Sequence, residues 1–149
     1  PDDLDHSIRA QLGRFGFSQE RAETKVENLS GGEKARLLFA LMTCDKPHIL
    51  LLDEPTSSLD LAFQLETSAL LDRLNRDHGM TVVVCTHDLN FAAGLCRELV
   101  LLRDGRILAA GPTEAVLTPD TIAAVYDVAA DVHRHAVSRQ LTVVPLARR

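Results

Sequence analysis

The sequence contains no tryptophan and few aromatic residues, which make up 4% of its 149 residues. The hydrophobic fraction of 46% nevertheless supplies enough apolar material for a core at this length. No apolar run approaches the roughly 18 residues that a membrane-spanning helix requires. The acidic start, with Asp2, Asp3 and Asp5, lacks the basic and apolar stretches of a secretory signal. We therefore expect a globular cytoplasmic protein.

Cysteine is scarce, and acidic residues outnumber basic ones. Cys44, Cys85 and Cys96 fit no metal-binding or redox spacing and lie among apolar residues, so we expect buried free thiols. The formal net charge of −5 gives no argument for binding nucleic acid or an anionic membrane. His133 and His135 have no third ligand close by, and we expect both to be exposed polar residues.

Apolar periodicity predicts strands that alternate with helices, which indicates an α/β fold. The predicted helices are an opening helix that ends near Gly16, a short helix or turn within 18–28, and segments 34–44, 61–76, 89–96, 114–117 and 121–127. The predicted strands are 48–53, 80–86, a hairpin over 99–109 that turns at Asp104-Gly105, and 141–144.

Several of these segments carry an expectation about burial. Helix 34–44 is apolar nearly all round, so we expect it to be buried. The continuous apolar run 49–52 is typical of a parallel strand that is covered on both faces. The helix predicted over 61–76 is expected to bury one face, formed by Leu61, Leu65, Ala69, Leu70 and Leu74.

Two consecutive carboxylates follow the first predicted strand. Asp53 is an oxygen ligand of the kind that Mg²⁺ favours, and Glu54 could polarise an attacking water. Open α/β sheets place their ligand crevice at this end of the strands. A solvated acidic turn is the alternative interpretation.

A serine and two glycines, Ser30-Gly31-Gly32, come before the helix predicted over 34–44. Glycines let the backbone approach a ligand, and free amides at a helix start favour phosphate oxygens. A plain turn with Ser30 as helix cap is the alternative. His87 follows the valine-rich strand and could contact a terminal phosphate, or could be structural. Asp60 precedes a helix and could be only its cap.

The order of these motifs resembles the ABC ATPase family. LSGGE at 29–33, LLLDEPT at 50–56, SLD at 58–60 and THD at 86–88 are similar to its signature motif, Walker B motif, D-loop and switch histidine. The resemblance implies an ABC-type P-loop NTPase domain with a mainly parallel sheet, flanking helices and a β-hairpin. It implies three parts: a helical signature region over 1–46, a sheet core over 47–111, and carboxyl-terminal helices and a strand over 112–149.

The resemblance also implies roles and ligands. In this family two ATPase domains face each other, and ATP and Mg²⁺ lie between the glycine-rich loop of one and the signature of the other. Transferred by position, Ser30, Gly31 and Gly32 would contact the partner's γ-phosphate. Asp53 would support Mg²⁺, Glu54 would act as general base, and His87 would sense the γ-phosphate. Asp60 would couple the two sites.

One element of that machinery is not in the sequence. No G-x-x-x-x-G-K-[ST] occurs, and no glycine is directly followed by a lysine. We therefore expect the carboxyl-terminal part of an ABC ATPase, as a fragment, a split half or a truncated product, and we expect the isolated chain to be inactive. Without the phosphate-loop strand and its helix, the apolar faces of 49–52 and 82–84 would be uncovered, so we expect a chain that is sticky, oligomeric or marginally folded.

Different parts of the sequence resemble two different subfamilies. Residues 25–41 resemble the ABC-F ATPases, which act on ribosomes, although Ser57-Ser58 departs from their pattern. Residues from Ser57 onward resemble ATPases of iron-siderophore, haem or cobalamin importers. The first interpretation is an importer ATPase, held at the membrane by transmembrane permease subunits, with no nucleic-acid partner. The alternatives are an ABC-F fragment, a mosaic, or a non-catalytic module that lends its signature to a partner.

Overall fold

The computed structural model of the protein describes residues 2–57 and 59–148. The helices are α1 (Asp2–Arg14), α2 (Gln19–Ala22), α3 (Gly31–Met42), α4 (Leu61–His78), α5 (Leu89–Leu95), α6 (Thr113–Val116) and α7 (Pro119–Tyr126), with a 3₁₀ turn at Val26–Asn28. The strands are β1 (Ile49–Asp53), β2 (Thr81–Cys85), β3 (Glu98–Arg103), β4 (Arg106–Pro112), β5 (Val128–Arg134) and β6 (Leu141–Arg148). The α/β prediction is confirmed.

The chain divides into two compact units, and the boundary falls between Val83 and Val84. The first unit holds α1 to α4, β1 and the start of β2. The second unit holds the remaining elements. Ser58, which we predicted to belong to the D-loop, lies outside the described residues.

Local signals set the ends of the helices in the first unit. The chain leaves α1 through Gly16, whose φ of +84° is a conformation that glycine adopts without steric cost. Gly79 ends α4 in the same way, with a φ of +64° and its N–H bonded to the Leu74 carbonyl. Both stops agree with the predicted positions of these helices. The buried apolar residues of this unit are Phe15, Phe17, Leu29, Phe39, Ala40, Leu50, Leu52, Leu70, Leu71, Leu74 and Met80.

Burial in this unit is more one-sided than the sequence pattern predicted. In β1, Leu50 and Leu52 are buried, whereas Ile49 is 64% and Leu51 69% exposed. The expectation of a strand covered on both faces is therefore wrong for the described residues, because only one face has packing partners. The uncovered apolar face that we expected at this strand is confirmed.

The faces of α3 and α4 also need correction. Phe39 and Ala40 are buried in α3, but Leu38 and Leu41 are exposed, so the helix is not covered all round. In α4 the buried positions include Leu71, whereas Leu61 and Leu65 are exposed. Leu70 and Leu74 are buried, as predicted, whereas the amino-terminal part of the predicted face is exposed.

The second unit consists of two antiparallel hairpins and short helices. The β3–β4 hairpin turns at Asp104 and Gly105, whose φ values of +51° and +71° suit the two-residue turn that we predicted. Helices α5, α6 and α7 contact the hairpins. They enclose a core of Ala92, Leu99, Leu101, Val116, Leu117, Ile122, Ala130 and Val143.

The sequence did not reveal β5, which pairs antiparallel with β6. The described strands form three two-stranded sheets, β1–β2, β3–β4 and β5–β6. The last two are antiparallel, which differs from the mainly parallel arrangement that we expected. Two alanines and three charged or polar residues among the seven residues 128–134 gave β5 too weak an apolar signal to be recognised.

The cysteines are free, as predicted, but Cys44 and Cys85 are exposed and Cys96 is half-buried. The expectation of buried thiols is thus wrong for two of the three, since apolar neighbours in sequence do not guarantee burial. His133 and His135 are exposed, as expected. Within residues 2–57 and 59–148, no helix has both the length and the apolar character needed to cross a membrane.

Candidate functional site

The turn after β1 presents the two predicted acidic residues. Asp53 is the exposed last residue of the strand, and Glu54 follows it with a φ of +44°. A glutamate rarely adopts this left-handed conformation, which costs roughly 1–3 kcal/mol and is common at functional sites. The turn is closed by the Ser57 N–H, which donates to the Glu54 carbonyl at 3.1 Å. The strained turn therefore fixes where the Glu54 side chain leaves the strand.

The start of α3 is held by a capping box between Ser30 and Glu33. The Glu33 N–H donates to the Ser30 hydroxyl oxygen at 3.3 Å, and the Ser30 N–H donates to a Glu33 carboxylate oxygen at 2.8 Å. The cap that we weighed as the alternative role for Ser30 is thus present. Its hydroxyl hydrogen takes no part in this bond, so the cap leaves a donor for a ligand.

Two backbone donors remain at this helix start. Among the hydrogen bonds of the described residues, none uses the N–H of Gly31 or Gly32. The first N–H groups of a helix have no partner inside the helix and attract anions. The geometry at 30–32 therefore suits contact with phosphate oxygens.

The two glycines differ in their surroundings. A Cβ added at Gly31 would meet nothing within 4 Å, whereas one at Gly32 would lie 1.8 Å from the Phe63 ring. Gly32 is therefore required by packing inside this chain, independently of any ligand. Phe63 lies in the first turn of α4, so the ring joins the start of α3 to the start of α4.

Charged residues reinforce the same region. The Arg36 guanidinium pairs with Glu66, one turn along α3 and α4 from the contact between Gly32 and Phe63. Arg21 lies 3.3 Å from the Glu33 carboxylate. The hydrogen bond from the Ser30 N–H holds the pKa of the Glu33 carboxyl below its usual value of 4.5. The capping box is thus strongest with Glu33 ionised.

Asp60 is the N-cap of α4. Its carboxylate accepts a hydrogen bond from the Phe63 N–H at 3.0 Å. The cap role that we gave as the alternative is therefore present, and the residue is exposed. One carboxylate oxygen is engaged in the cap, so an additional role across an interface is compatible with this geometry.

His87 belongs to the second unit, where it lies in the loop between β2 and α5. Asp88 caps α5 by accepting from the N–H groups of Asn90 and Phe91, both at 2.9 Å. The Asp88 N–H in turn donates to the Thr86 hydroxyl at 3.1 Å. These bonds on either side of His87 restrict the backbone that carries its imidazole.

Within the first unit, the structure brings together part of the predicted set. Ser30, Gly31 and Gly32 lie beside the start of α4, which Asp60 caps. Asp53 and Glu54 share one turn in the same unit, and His87 lies in the other unit.

Sequence reasoning missed Glu33 and Phe63. The S-x-x-E spacing from Ser30 could have revealed Glu33 as a capping-box residue. No sequence signal predicts that the Phe63 ring lies against Gly32, because the two residues are far apart in the chain. Asn90 was also missed: its side chain bonds both to the Val143 N–H at 2.8 Å and to the Val143 carbonyl at 3.2 Å, which ties α5 to β6.

The acidic turn after β1 offers the kind of ligand that a magnesium ion takes. Among the described residues, no group of three or more histidine, cysteine or acidic side chains could enclose a metal. Mg²⁺ is bound through one or two carboxylates together with water and substrate phosphates. An exposed carboxylate such as that of Asp53 meets this requirement.

Comparisons with known proteins agree with the motifs. The family model described as ABC transporter matches residues 2–57. The chain is 42% identical over 125 residues to the iron(3+)-hydroxamate import ATP-binding protein FhuC of Bacillus subtilis (strain 168), covering 84% of this chain and 46% of that protein. It is 41% identical over 138 residues to the cobalamin import ATP-binding protein BtuD of Halobacterium salinarum (strain ATCC 29341 / DSM 671 / R1), covering 93% and 34%.

A solved structure agrees as well. The fold matches a structure described as an inward-facing conformation of a metal-chelate type ABC transporter, with a TM-score of 0.85 and 29% identity over 98% of this chain and 59% of that one. The chain spans about half the length, or less, of the curated relatives named above. Both relatives are import ATP-binding proteins and give no support to the ABC-F alternative. The chain belongs to the ABC transporter ATPase family.

Proposed function

We propose that this chain is part of the ATP-hydrolysing subunit of an importer for a metal chelate, such as an iron-siderophore, haem or cobalamin. The observation that carries the proposal is the capped start of α3, where the N–H groups of Gly31 and Gly32 have no partner among the described residues. The likeness to iron-hydroxamate and cobalamin import proteins supports the class of cargo. Its partners would be a second ATPase domain and permease subunits, which would hold it at the cytoplasmic face of the membrane.

The signature residues would act on ATP held by the facing domain. Gly31 and Gly32 would donate their N–H groups to the γ-phosphate, and Ser30 would add its hydroxyl. Phosphoryl transfer depends mostly on positioning and on stabilising charge. Donors that the capping box has already fixed in place suit that task, since they need no rearrangement when the ligand arrives.

The acidic turn after β1 would act on the metal ion and on the attacking water. Asp53 would hold Mg²⁺, which neutralises charge on the phosphates. Glu54 would accept a proton from the attacking water, and its strained backbone supports a fixed orientation. His87 would contact the γ-phosphate, and Asp60 would link the two composite sites across the domain interface.

We further propose that the 149 residues do not bind ATP on their own, because they contain no glycine-rich loop with a lysine. Calorimetric titration of the chain with Mg-ATP tests this point. No heat of binding is the expected result. Saturable binding would overturn the proposal that a second ATPase domain must supply the phosphate loop.

The signature role can be tested in trans. The chain is added to the Bacillus subtilis iron-hydroxamate import ATP-binding protein, and phosphate release is measured. We expect a higher rate with the wild-type chain and no increase with Gly31→Ala, whose new Cβ has open space in the fold but would stand in front of the phosphate.

A glycine remote from the site supplies the matched control. Gly13 lies in α1, and a Cβ there also meets nothing within 4 Å, so Gly13→Ala should stimulate like wild type. Lack of stimulation by the wild-type chain, or equal stimulation by Gly31→Ala, would contradict the proposed role of the signature.

A further inference from the structure

A cleft of about 650 Å³ lies in the first unit. It is bounded by the end of α1, by the segment that leads into β1, and by the carboxyl-terminal half of α4. His48 lines the cleft directly before β1, whereas Asp53 and Glu54 lie at the other end of that strand. A five-residue strand spans roughly 15 Å, so this cleft is separate from the proposed nucleotide site.

Positive charge predominates around the cleft. Arg14, Lys46 and Arg73 line it, against a single carboxylate, Asp77. Two imidazoles, those of His48 and His78, add further hydrogen-bond donors. The local excess of positive charge stands out because the whole chain carries a formal net charge of −5.

These cations have not been neutralised within the fold. In the part of the chain that the structure describes, none of Arg14, Lys46 and Arg73 forms an ion pair. Among residues 2–57 and 59–148, the Arg73 guanidinium donates only to the Arg14 backbone carbonyl, at 3.5 Å, so most of its five N–H donors have no partner there. Three such side chains around one cleft can converge on an anion.

The floor of the cleft is apolar. Phe15, Leu70, Leu74 and Met80 line it, and each is at most 5% exposed. Cavities of 300–1,000 Å³ with apolar walls and a few fixed polar groups are typical of small-molecule sites. An apolar floor under a cationic rim matches a ligand with an apolar body and an acidic head group.

We propose that this cleft binds a small organic anion, with an apolar body on the floor and a phosphate or carboxylate at the rim. Arg14 and Arg73 bring two planar guanidinium groups, which bind such oxyanions through paired hydrogen bonds. Lys46 lies in the turn before β1 and adds a third cation. The site is independent of the signature motif and of the ATPase role proposed above.

An NMR titration of the ¹⁵N-labelled chain tests the proposal. The probes are phenyl phosphate, benzoate and, as the uncharged control, benzyl alcohol. We expect saturable shifts of the Phe15, Thr43 and Gly79 amides with an anionic probe, and no saturable shifts with benzyl alcohol. Tighter binding of phenyl phosphate than of benzoate would identify the head group as a phosphate, and the reverse order would identify a carboxylate; either order supports the site.

Matched charge variants complete the test. Lys46→Gln and Arg73→Gln should each weaken binding of the better probe about tenfold, the low end for loss of a charge-assisted hydrogen bond. Arg106→Gln, in the second unit, removes the same charge and should leave binding unchanged. Equal weakening by Arg106→Gln, equal binding of benzyl alcohol, or shifts confined to Gly31 and Gly32 would each overturn the proposal. Because Lys46 and Arg73 are substituted separately, a folding defect in one variant leaves the other to test the site.

Discussion

Replacing Gly32 by alanine is expected to destabilise the first unit, although alanine normally stabilises a helix relative to glycine. The new Cβ would lie 1.8 Å from two carbons of the Phe63 ring and 2.5 Å from a third. Atoms cannot approach that closely, so the ring or the helix must move. Gly31→Ala, one residue earlier in the same helix, meets no atom within 4 Å.

The size of the effect follows from two opposing contributions. Overpacking a filled site costs about 1–3 kcal/mol, and the gain in helix propensity offsets up to about 1 kcal/mol of that. Gly32→Ala should therefore lower the free energy of unfolding by about 1–2 kcal/mol, whereas Gly31→Ala should leave it unchanged or raise it slightly. Removing the ring in Phe63→Ala makes space for the methyl group, so the double variant should show a coupling energy of about 1–3 kcal/mol.

Urea unfolding followed by circular dichroism measures these differences. With a slope of about 1–3 kcal/mol per molar urea, the midpoints of the Gly31→Ala and Gly32→Ala variants should differ by about 1 M. Equal midpoints would refute the close contact. Additive effects of Gly32→Ala and Phe63→Ala would refute it as well, because contacting residues should be coupled.

Ser30→Ala should lower the free energy of unfolding by about 1 kcal/mol through loss of the cap, while Ser30→Asn should restore most of it in thermal melts; equal melts for the two variants would contradict the cap. Asp60→Ala should cost a similar amount, and Asp60→Ser should retain stability but lose any coupling across the domain interface, read from phosphate release in the trans assay. Because the pKa of Glu33 is lowered in the fold, its stabilising contribution is present above its usual value of 4.5 and is lost as the pH falls below it; Glu33→Gln should therefore flatten the fall in stability between about pH 5 and pH 3, and an unchanged profile would count against the capping box. Leu51 is 69% exposed on β1, so the chain should self-associate in sedimentation and Leu51→Thr should reduce that tendency; a fully monomeric wild-type chain would contradict this.

Local features of the fold could be predicted from the sequence. The turn at Asp104 and Gly105, the stop of α1 at Gly16 and the caps at Ser30 and Asp60 each depend on a few adjacent residues. Glycine adopts positive φ without strain, and small polar side chains reach nearby N–H groups, so these signals are short-range. The motifs that indicated the family were also recognisable in the sequence, because each consists of a few adjacent residues.

Burial was less predictable because it depends on neighbours that are distant in the chain. The apolar run of β1 indicated a strand, but only the tertiary structure decided that Leu50 and Leu52 face the core while Ile49 and Leu51 do not. Likewise β5 became a strand because β6 pairs with it, and Asn90 anchors that hairpin to α5.

The candidate site also combines features that the sequence predicted with features that only the tertiary structure shows. The sequence by itself indicated the candidate site residues: the serine and glycines at a helix start, and the carboxylates that follow a strand. The tertiary structure decided that the Phe63 ring lies on Gly32, that Glu54 has a strained backbone, and that Arg14, Lys46 and Arg73 surround one cleft. Residue types fix the available hydrogen bonds and charges, but only packing brings distant side chains within reach of one another.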